Sequence, residues 1–377
     1  MSDDALTLLA ELGVTPVLHG GGTKTTIGGG PVRPGVAEVM AQALEHYVVL
    51  SELEVAAARW IADAAQVEAA MVTGGAASAM VLAAGAALIA ADPRVGRSLP
   101  DTAGLVATEL VVQASHWGRY TYVYGLSGAT CRLAGTVNEC PLEAIDAVVG
   151  PQTAAITHLQ GPGIAQVGPP LAEVCDYAHE RGLPVIVDAA AMLPPRSHLH
   201  HYTDLGADLV IFSGGKVIGG PQGTGLLLGR PDLVGLARSL SAPRQGLGRP
   251  HKVGKEQILG LVTALRAFLA TPEEAERAVL TARAERIAEG LAAVPGWTAR
   301  VVRDDHEFFT PTALLTPDAG TNLAALQSDL LAGTPRVFVQ TSHDHQSLTV
   351  SPLSLPEDTV PTVVRTLAAA LEAAGSR

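Results

Sequence analysis

Short, continuous apolar runs alternate with helix-like segments through the middle of the chain. Unbroken apolar runs indicate strands buried on both faces, and their alternation with helices is typical of a parallel sheet. The pattern therefore predicts an α/β fold with a doubly wound, mostly parallel sheet. The clearest runs cover residues 69–72, 110–112, 154–156, 183–187 and 209–212.

The pattern changes near residues 243–250, which are rich in Gly, Pro, Arg and Gln and so predict a domain boundary. Helical spacing over 253–293, short strands within 299–352 and a closing helix over 357–374 predict a smaller α+β domain. A glycine-rich segment, residues 20–30, lies near the start of the chain. We expect an N-terminal arm over 1–34, a large domain over 35–245 and a small C-terminal domain over 246–377.

Composition and charge exclude several partners. A formal net charge of −12 at pH 7 opposes a nucleic-acid surface, which needs clustered Lys and Arg. The acidic start, Met1–Asp4, and the lack of an uninterrupted apolar stretch of about 18 residues lead us to expect no signal peptide and no membrane segment.

Three cysteines are too few for a disulfide framework, which favours a cytoplasmic protein. The histidines at 198–201 and 343–345 lack the helical spacing of zinc proteases, so we predict no metal site.

Two charged residues follow buried strands. Asp188 comes directly after the run 183–187, and Lys216 follows the run 209–212. In a parallel sheet both would emerge at the carboxyl edge, where open α/β folds bind ligands. Pyridoxal 5′-phosphate needs an amine for its Schiff base and a carboxylate that keeps its ring nitrogen protonated. We therefore predict this cofactor, with Lys216 and Asp188 as catalytic residues.

A glycine-containing turn at residues 73–76 leads from the first strand into an Ala-rich helix. Free backbone N–H groups and the positive end of a helix suit a phosphate, and glycine allows a close approach. A serine three residues before Lys216 can turn its hydroxyl to the same phosphate. The expected phosphate ligands are Thr73, Gly74, Gly75, Ala76 and Ser213.

Four segments in a fixed order carry a family resemblance: 188–191, 212–216, 219–222 and 248–256. Together they resemble the SelA-like branch of fold type I pyridoxal-phosphate-dependent enzymes, which contains bacterial seryl-tRNA selenium transferase and D-glucosaminate-6-phosphate ammonia-lyase. The resemblance extends over about residues 17–371 and implies an aspartate-aminotransferase-like fold.

The resemblance also implies further site residues. His116 stands where family members carry a ring that stacks on the pyridine, with Trp117 as the alternative, and we assign His116 to the catalytic residues. Ala190 and Gln222 lie in matching segments and are expected to contact the cofactor. The cations expected to meet an anionic substrate or a phosphate are Lys24, Arg249, Lys252, Lys255 and Arg336.

The cofactor restricts the chemistry to loss of a group from Cα or Cβ of an amino acid or amino-sugar acid, through a stabilised carbanion or quinonoid. The first hypothesis is elimination of the ammonia-lyase type or decarboxylation. The second follows relatives that use pyridoxal phosphate and O2 to convert a glycyl-nucleoside amino acid into a carboxamide in nucleoside-antibiotic biosynthesis. Selenium transfer is a third hypothesis, which the acidic composition opposes.

From a different class, the chain would be a regulatory protein that binds pyridoxal phosphate without turnover. The presence of both Asp188 and Lys216 speaks against this hypothesis, since such a protein has no chemical need of either residue. Because fold type I sites usually form between two subunits, the resemblance further implies at least a homodimer, in which 219–222 or 249–255 reaches the cofactor of the neighbour.

Overall fold

The structure, a computed structural model, describes residues 4–94, 98–161, 167–303, 310–318 and 320–375. The helices are α1 (Asp4–Glu11), α2 (Val36–Leu44), α3 (Leu50–Ala65), α4 (Ala76–Ala91), α5 (Tyr122–Gly125), α6 (Leu142–Asp146), α7 (Leu171–His179), α8 (His198–Asp204), α9 (Pro231–Ser239), α10 (Lys255–Ala270), α11 (Glu273–Leu291), α12 (Leu323–Ala332) and α13 (Val360–Gly375). The strands are β1 (Val17–His19), β2 (Ala69–Thr73), β3 (Glu109–Gln113), β4 (Thr130–Ala134), β5 (Thr153–Leu159), β6 (Val185–Asp188), β7 (Leu209–Ser213), β8 (Gly225–Gly229), β9 (Trp297–Val302), β10 (Thr312–Pro317), β11 (Arg336–Phe338), β12 (Gln340–Thr341) and β13 (Leu348–Val350).

The chain forms two compact units, a large unit of residues 32–270 and a small unit of residues 1–31 and 271–377. The large unit contains a seven-stranded sheet in the order β2-β8-β7-β6-β5-β3-β4. Strand β8 pairs antiparallel with β2 and β7, and all other neighbours in this sheet pair in parallel. The mostly parallel sheet predicted from the apolar runs is therefore confirmed.

Helices cover both faces of this sheet because its central strands bury side chains on both sides. On one face Ile186, Leu209 and Ile211 join an apolar cluster built around α4. The intervening Val187 and Val210 are fully buried as well, and α7 and α8 contact strands β5 to β7. The central strands therefore carry apolar residues at consecutive positions, which explains the unbroken runs in the sequence.

Small residues let α4 pack closely. Its residues 78–89 are buried, so the helix is apolar all round rather than on one stripe. A Cβ on Gly85 would lie 2.7 Å from Cδ1 of Leu240, so a larger residue there would displace the leucine side chain of the segment after α9. This packing holds the first turn of α4 at the end of β2.

A buried carboxylate joins the starts of two strands and the end of a third at the opposite edge of the sheet. Asp208, 5% exposed, accepts hydrogen bonds from the backbone N–H of Val185 at 2.8 Å and from Arg230 at 2.7 Å. His179 Nε2 lies 2.9 Å from the same carboxylate. Asp208 therefore holds the starts of β6 and β7 to the end of β8 and to α7.

We expect Asp208→Asn to lower the free energy of unfolding by about 2 kcal/mol, because the buried acceptor of the charged Arg230 donor loses its own charge. Urea denaturation at pH 7 measures this change. The matched control is Asp232→Asn, which removes the other carboxylate bound to Arg230, at 2.7 Å. Its side chain is 60% exposed, so we expect a change below about 1 kcal/mol. Equal losses in the two variants would contradict the structural role of Asp208.

The small unit is an α+β structure. Its four-stranded antiparallel sheet has the order β12-β13-β10-β9, and β1 pairs in parallel with β11. Helices α11, α12 and α13 contribute to its apolar core, with Leu291, Leu330 and Leu367 buried there. Within the described parts of the chain, no helix combines the length and the apolar character needed to cross a membrane.

The bounds of the compact units differ from the domain bounds expected from sequence. Helix α10 belongs to the large unit because it packs against α2 and α3, and residues 1–31 belong to the small unit because β1 pairs with β11. Residues 243–250 are a loop within the large unit, before a short 3₁₀ helix at Arg249–His251.

Candidate active site

The strand register brings the predicted residues of the large unit to one edge of the sheet. Thr73 and Ser213 both pair with Gly225, the first residue of β8. Asp188 pairs with Ile211 on one side and with Leu159 on the other. The turn that carries His116 begins directly after β3, whose end lies beside that of β5. Residues separated by more than a hundred positions in sequence thus share this carboxyl edge.

Asp188 is a buried carboxyl at the end of β6, with 8% of its surface exposed. Its Oδ1 accepts a hydrogen bond from the backbone N–H of Ala190 at 3.0 Å. Burial raises the pKa of Asp188, while the Ala190 N–H and the positive charge of Lys216 act in the opposite direction. An additional cationic donor, such as a pyridinium N–H, would favour the ionised form of this buried carboxyl.

Lys216 lies partly buried in the turn that follows β7. The sequence contains four lysines. Lys255 caps the end of α2 by donating to the carbonyl oxygens of Ala43 at 2.6 Å and Leu44 at 3.3 Å, and Lys252 is exposed. Lys24 belongs to the small unit and is exposed. Of the four, Lys216 is the one whose charge acts on Asp188.

The turn at 73–76 has the shape of a phosphate cradle. Gly75 adopts a positive φ of 100°, and Thr73 donates its hydroxyl to the Gly75 carbonyl at 3.0 Å. Residue Gly75 precedes α4 without a side-chain cap, so the first N–H groups of that helix are available to an anion. A Cβ on Gly225 would lie 2.6 Å from the carbonyl carbon of Gly75, which shows how tightly the turn packs on β8.

The segment that contains Arg249 and Lys252 lies beside this cradle. His251 Nδ1 is 3.0 Å from the Ser78 hydroxyl in the first turn of α4. A Cβ on Gly74 would lie 2.7 Å from the carbonyl oxygen of His251. Arg249 and Lys252 themselves are exposed. The sequence predicted a role for the cations of this segment, but the residue that contacts the first turn of α4 is His251, which was not predicted.

His116 is buried, with 4% of its surface exposed, and its Nδ1 accepts the backbone N–H of Leu159 at 3.3 Å. Its ring centroid lies 4.6 Å from that of His158, edge to face. Burial lowers the pKa of His116 to about 4. For His158, burial and then the charge of His116 lower the pKa to about 3, against a hydrogen bond to the backbone of Pro169. Both rings are therefore neutral at pH 7, and the neutral His116 carries its proton on Nε2.

Two buried residues of this region were not expected from the sequence. His158 lies within an apolar strand, where a single histidine gives no functional signal. Tyr124 in α5 is 4% exposed, and burial, followed by the charges of Asp188 and Cys131, raises its pKa. The phenol therefore stays protonated at neutral pH near Asp188.

The remaining expected residues are divided between the units. Ala190 is partly buried next to Asp188, and Gln222 lies against Gly215, whose added Cβ would be 2.6 Å from the Gln222 Cα. Trp117 is 51% exposed. Lys24 and Arg336 belong to the small unit, where Arg336 pairs with Val17. Their proposed contact with a substrate remains a prediction.

The buried histidines give a pH prediction for the cofactor-free protein. Between pH 6.5 and 5 the unfolded chain binds protons that His116 and His158 do not bind when folded, so stability falls as the pH falls through this window. We expect a loss of about 2 kcal/mol per histidine, measured by urea denaturation. The variant His158→Gln should lose correspondingly less over the same window. An identical pH dependence in variant and parent protein would contradict the neutral, buried state of His158.

Comparisons with known proteins agree with this arrangement. The aminotransferase class-V family matches residues 110–291. A 5'-C-glycyluridine monooxygenase-decarboxylase from a Streptomyces species is 35% identical over 368 residues, which cover 95% of this chain and 90% of that protein. The D-glucosaminate-6-phosphate ammonia lyase of Salmonella typhimurium is 25% identical over 95% of this chain and 96% of its own length. An L-seryl-tRNA(Sec) selenium transferase of Solidesulfovibrio magneticus is 29% identical over 67% of this chain and 60% of its own length.

A solved structure shows the same likeness in three dimensions. A D-glucosaminate-6-phosphate ammonia-lyase matches with a TM-score of 0.85 and 25% identity, covering 98% of this chain and 99% of that one. The similarity therefore extends over almost the whole chain.

Proposed function

Because this chain belongs to the SelA-like branch of the fold type I pyridoxal-phosphate-dependent enzymes, we propose that it decarboxylates an α-amino acid of the glycyl type in an O2-dependent reaction. The cofactor expected from the sequence, pyridoxal 5′-phosphate, is confirmed by the family. When bound, it supplies an electron-withdrawing ring that stabilises negative charge at the substrate Cα.

One observation carries the assignment of the site. The buried carboxyl of Asp188 lies at the sheet edge that also holds the uncapped start of α4, and the positive charge of Lys216 acts to lower its pKa. These groups fit the three functional parts of the cofactor: the ring nitrogen, the aldehyde and the phosphate. We propose that Asp188 accepts the ring N–H, that Lys216 binds the aldehyde, and that residues 73–76 with Ser213 bind the phosphate.

The other residues of the site have supporting roles in this proposal. The neutral His116 ring stacks on the cofactor and keeps water from that face, while Ala190 and Gln222 contact the cofactor from two loops. The Lys216 amine, when free, would hold or return a proton at Cα. Arg249 and Lys252 meet the anionic groups of the substrate, with Lys24 and Arg336 as further candidates in the small unit.

The overall reaction balances as R–CH(NH3⁺)–COO⁻ + O2 → R–C(O)NH2 + CO2 + H2O. The bond from Cα to the carboxylate breaks, and its electron pair stays at Cα. The carbon then gives four electrons to O2, so that one oxygen atom enters the amide and the other leaves as water. No metal is required by this balance, and the substrate itself is the reductant.

Two observations favour this reaction over elimination from a sugar phosphate. The 35% identity to the Streptomyces monooxygenase-decarboxylase covers 95% of the chain, against 25% identity to the ammonia lyase over the same share. In addition, Lys255, one of the cations expected to meet an anionic substrate or a phosphate, is engaged with the carbonyl groups at the end of α2. Ammonia elimination from an amino-sugar acid remains the second candidate, since the TM-score of 0.85 is to a lyase of that kind.

A substrate screen with the purified holoenzyme tests the proposal. Glycyl-nucleosides, common amino acids and amino-sugar acids are incubated with and without O2, and CO2, ammonia and O2 uptake are measured. Equal amounts of CO2 released and O2 consumed, with one atom of ¹⁸O2 in the product amide, are the expected result. Ammonia release that does not need O2 would favour the lyase. A protein with bound cofactor and no turnover of any class would favour the regulatory hypothesis.

We further propose a homodimer in the cytoplasm. The end of α2 and its connection to α3 carry solvent-exposed apolar side chains, with Tyr47 93% exposed and Leu44, Val48 and Val49 each more than half exposed. Such a patch is typical of an interface. The cysteines in the described chain are free, which suits a reducing compartment. Light scattering after size exclusion measures the mass, and a monomer at micromolar concentration would contradict the proposed dimer.

A further inference from the structure

The turn after Lys216 is held by one residue from a distant part of the large unit. Arg33 Nε donates to the carbonyl oxygen of Ile218 at 2.9 Å, and Arg33 Nη2 donates to that of Val217 at 3.2 Å. The backbone N–H of Arg33 donates to the carbonyl oxygen of Gly219 at 2.8 Å. Three consecutive carbonyl groups, directly after Lys216 in the chain, therefore bind to Arg33.

The Arg33 side chain is itself fixed from its other side. Its guanidinium carbon lies 5.0 Å from the ring centroid of Phe268 in α10, and Arg196 lies at the same distance from that ring. The Arg33 carbonyl accepts the N–H of Val36 in the first turn of α2 at 3.2 Å. The guanidinium binds the two carbonyls through donors held in one rigid plane while its carbon lies over the Phe268 ring, whereas a lysine offers a single ammonium on a flexible stem.

The turn also closes on itself around Lys216. The carbonyl oxygen of Lys216 accepts the N–H of Gly219 at 2.9 Å, and Gly214 accepts that of Gly220 at 2.8 Å. Gly219 adopts a positive φ of 74°, which lets its carbonyl face Arg33. The backbone on both sides of Lys216 is thus held by hydrogen bonds, and Arg33 donates three of those on the carboxyl side.

We propose that Arg33 is a positioning residue for Lys216, which holds the turn 217–219 so that the lysine amine stays at the cofactor aldehyde. The need would be greatest when the amine is free to act on the substrate proton, because the turn alone would then keep it in place. Holding a reacting group in position raises its effective concentration by orders of magnitude. This inference rests on the proposed function only through the role of Lys216.

The experiment compares Arg33→Gln, Arg33→Lys and the control Arg266→Gln in the holoenzyme. Arg266 lies on the same helix as Phe268 and stacks on another ring, Trp60, at 5.3 Å, so its variant loses the same charge and the same kind of contact elsewhere. The readouts are the visible band of the Lys216 linkage, its trapping by borohydride, and the melting temperature. The equilibrium between linked and unlinked cofactor is measured at saturating pyridoxal phosphate.

We expect Arg33→Gln to lower the equilibrium constant for the Lys216 linkage by about tenfold or more. Arg33→Lys should recover part of this loss, since an ammonium also donates to carbonyl groups but lacks the rigid, planar set of donors. Arg266→Gln should match the parent protein. Where a substrate is known, kcat should fall more than KM rises. If Arg33→Gln does not fold, the linkage in Arg33→Lys decides the matter.

Unchanged linkage in the Arg33 variants would overturn the inference, even if the melting temperature fell, since that result describes a purely structural residue. An equal loss of linkage in Arg266→Gln would overturn it as well. The proposed function fails separately, and takes this inference with it, when the parent protein itself shows no band that borohydride removes.

Discussion

Replacing Lys216 by alanine is expected to abolish the covalent attachment of pyridoxal phosphate and to lower kcat by at least about 10⁴-fold. The variant loses both the amine that binds the aldehyde and the group that handles the proton at Cα, and each contribution is large. The absorbance band of the linkage and mass spectrometry after borohydride reduction measure attachment. Turnover is measured with the substrate identified in the screen.

The other lysines provide matched controls for this result. Lys252→Ala removes an exposed lysine of the segment beside the cradle, and Lys255→Ala removes the cap of α2. Both variants should keep the band, although the second should melt at a lower temperature because the Ala43 and Leu44 carbonyls lose a charged donor. A borohydride-stable adduct that maps to Lys252 or Lys255 in the parent protein would overturn the assignment of Lys216.

The central part of the site could be predicted because it depends on a rule that ignores sequence distance. Parallel strands end at one edge, so Asp188 and Lys216 had to approach each other once both strands were recognised as buried. The glycine turn before α4 followed from the same rule, since β2 also ends at this edge. The antiparallel insertion of β8 between β2 and β7 was not predictable, because strand pairing depends on long-range packing choices that leave no local signal.

Other parts of the site depend on contacts that no local pattern marks. Arg33 binds a backbone carbonyl 185 residues away. Every residue has such a carbonyl group, so the sequence does not show which one is bound. His158 is recognisable only by its neighbour His116, which comes from a different strand end. The Gly- and Pro-rich loop before Arg249 resembles a domain boundary in composition, yet α10 packs back on α2 and keeps the loop inside the large unit. A Gly- and Pro-rich composition indicates an exposed segment without regular structure. It does not distinguish a loop within a domain from a boundary between domains.

Burial of Asp188 has a cost that links function to stability. Since burial raises the pKa of this carboxyl, the folded cofactor-free protein binds a proton more readily than the unfolded chain. Its contribution to stability is therefore lost as the pH rises from the ordinary carboxyl pKa near 3.8. A protonated ring nitrogen would reverse this effect, because an opposite charge favours the ionised carboxylate.

The variant Asp188→Asn separates these two effects. We expect the Lys216 linkage to form in this variant but turnover to fall about 10³-fold, since a neutral amide no longer holds the ring nitrogen protonated. The cofactor-free variant should melt at a higher temperature than the cofactor-free parent at pH 7, because a buried charge is removed while the asparagine oxygen still accepts the Ala190 N–H. Adding pyridoxal phosphate should stabilise the parent more than the variant. Calorimetry with and without the cofactor measures all four states, and a variant that loses stability in both would show that Asp188 serves the fold rather than the ring nitrogen.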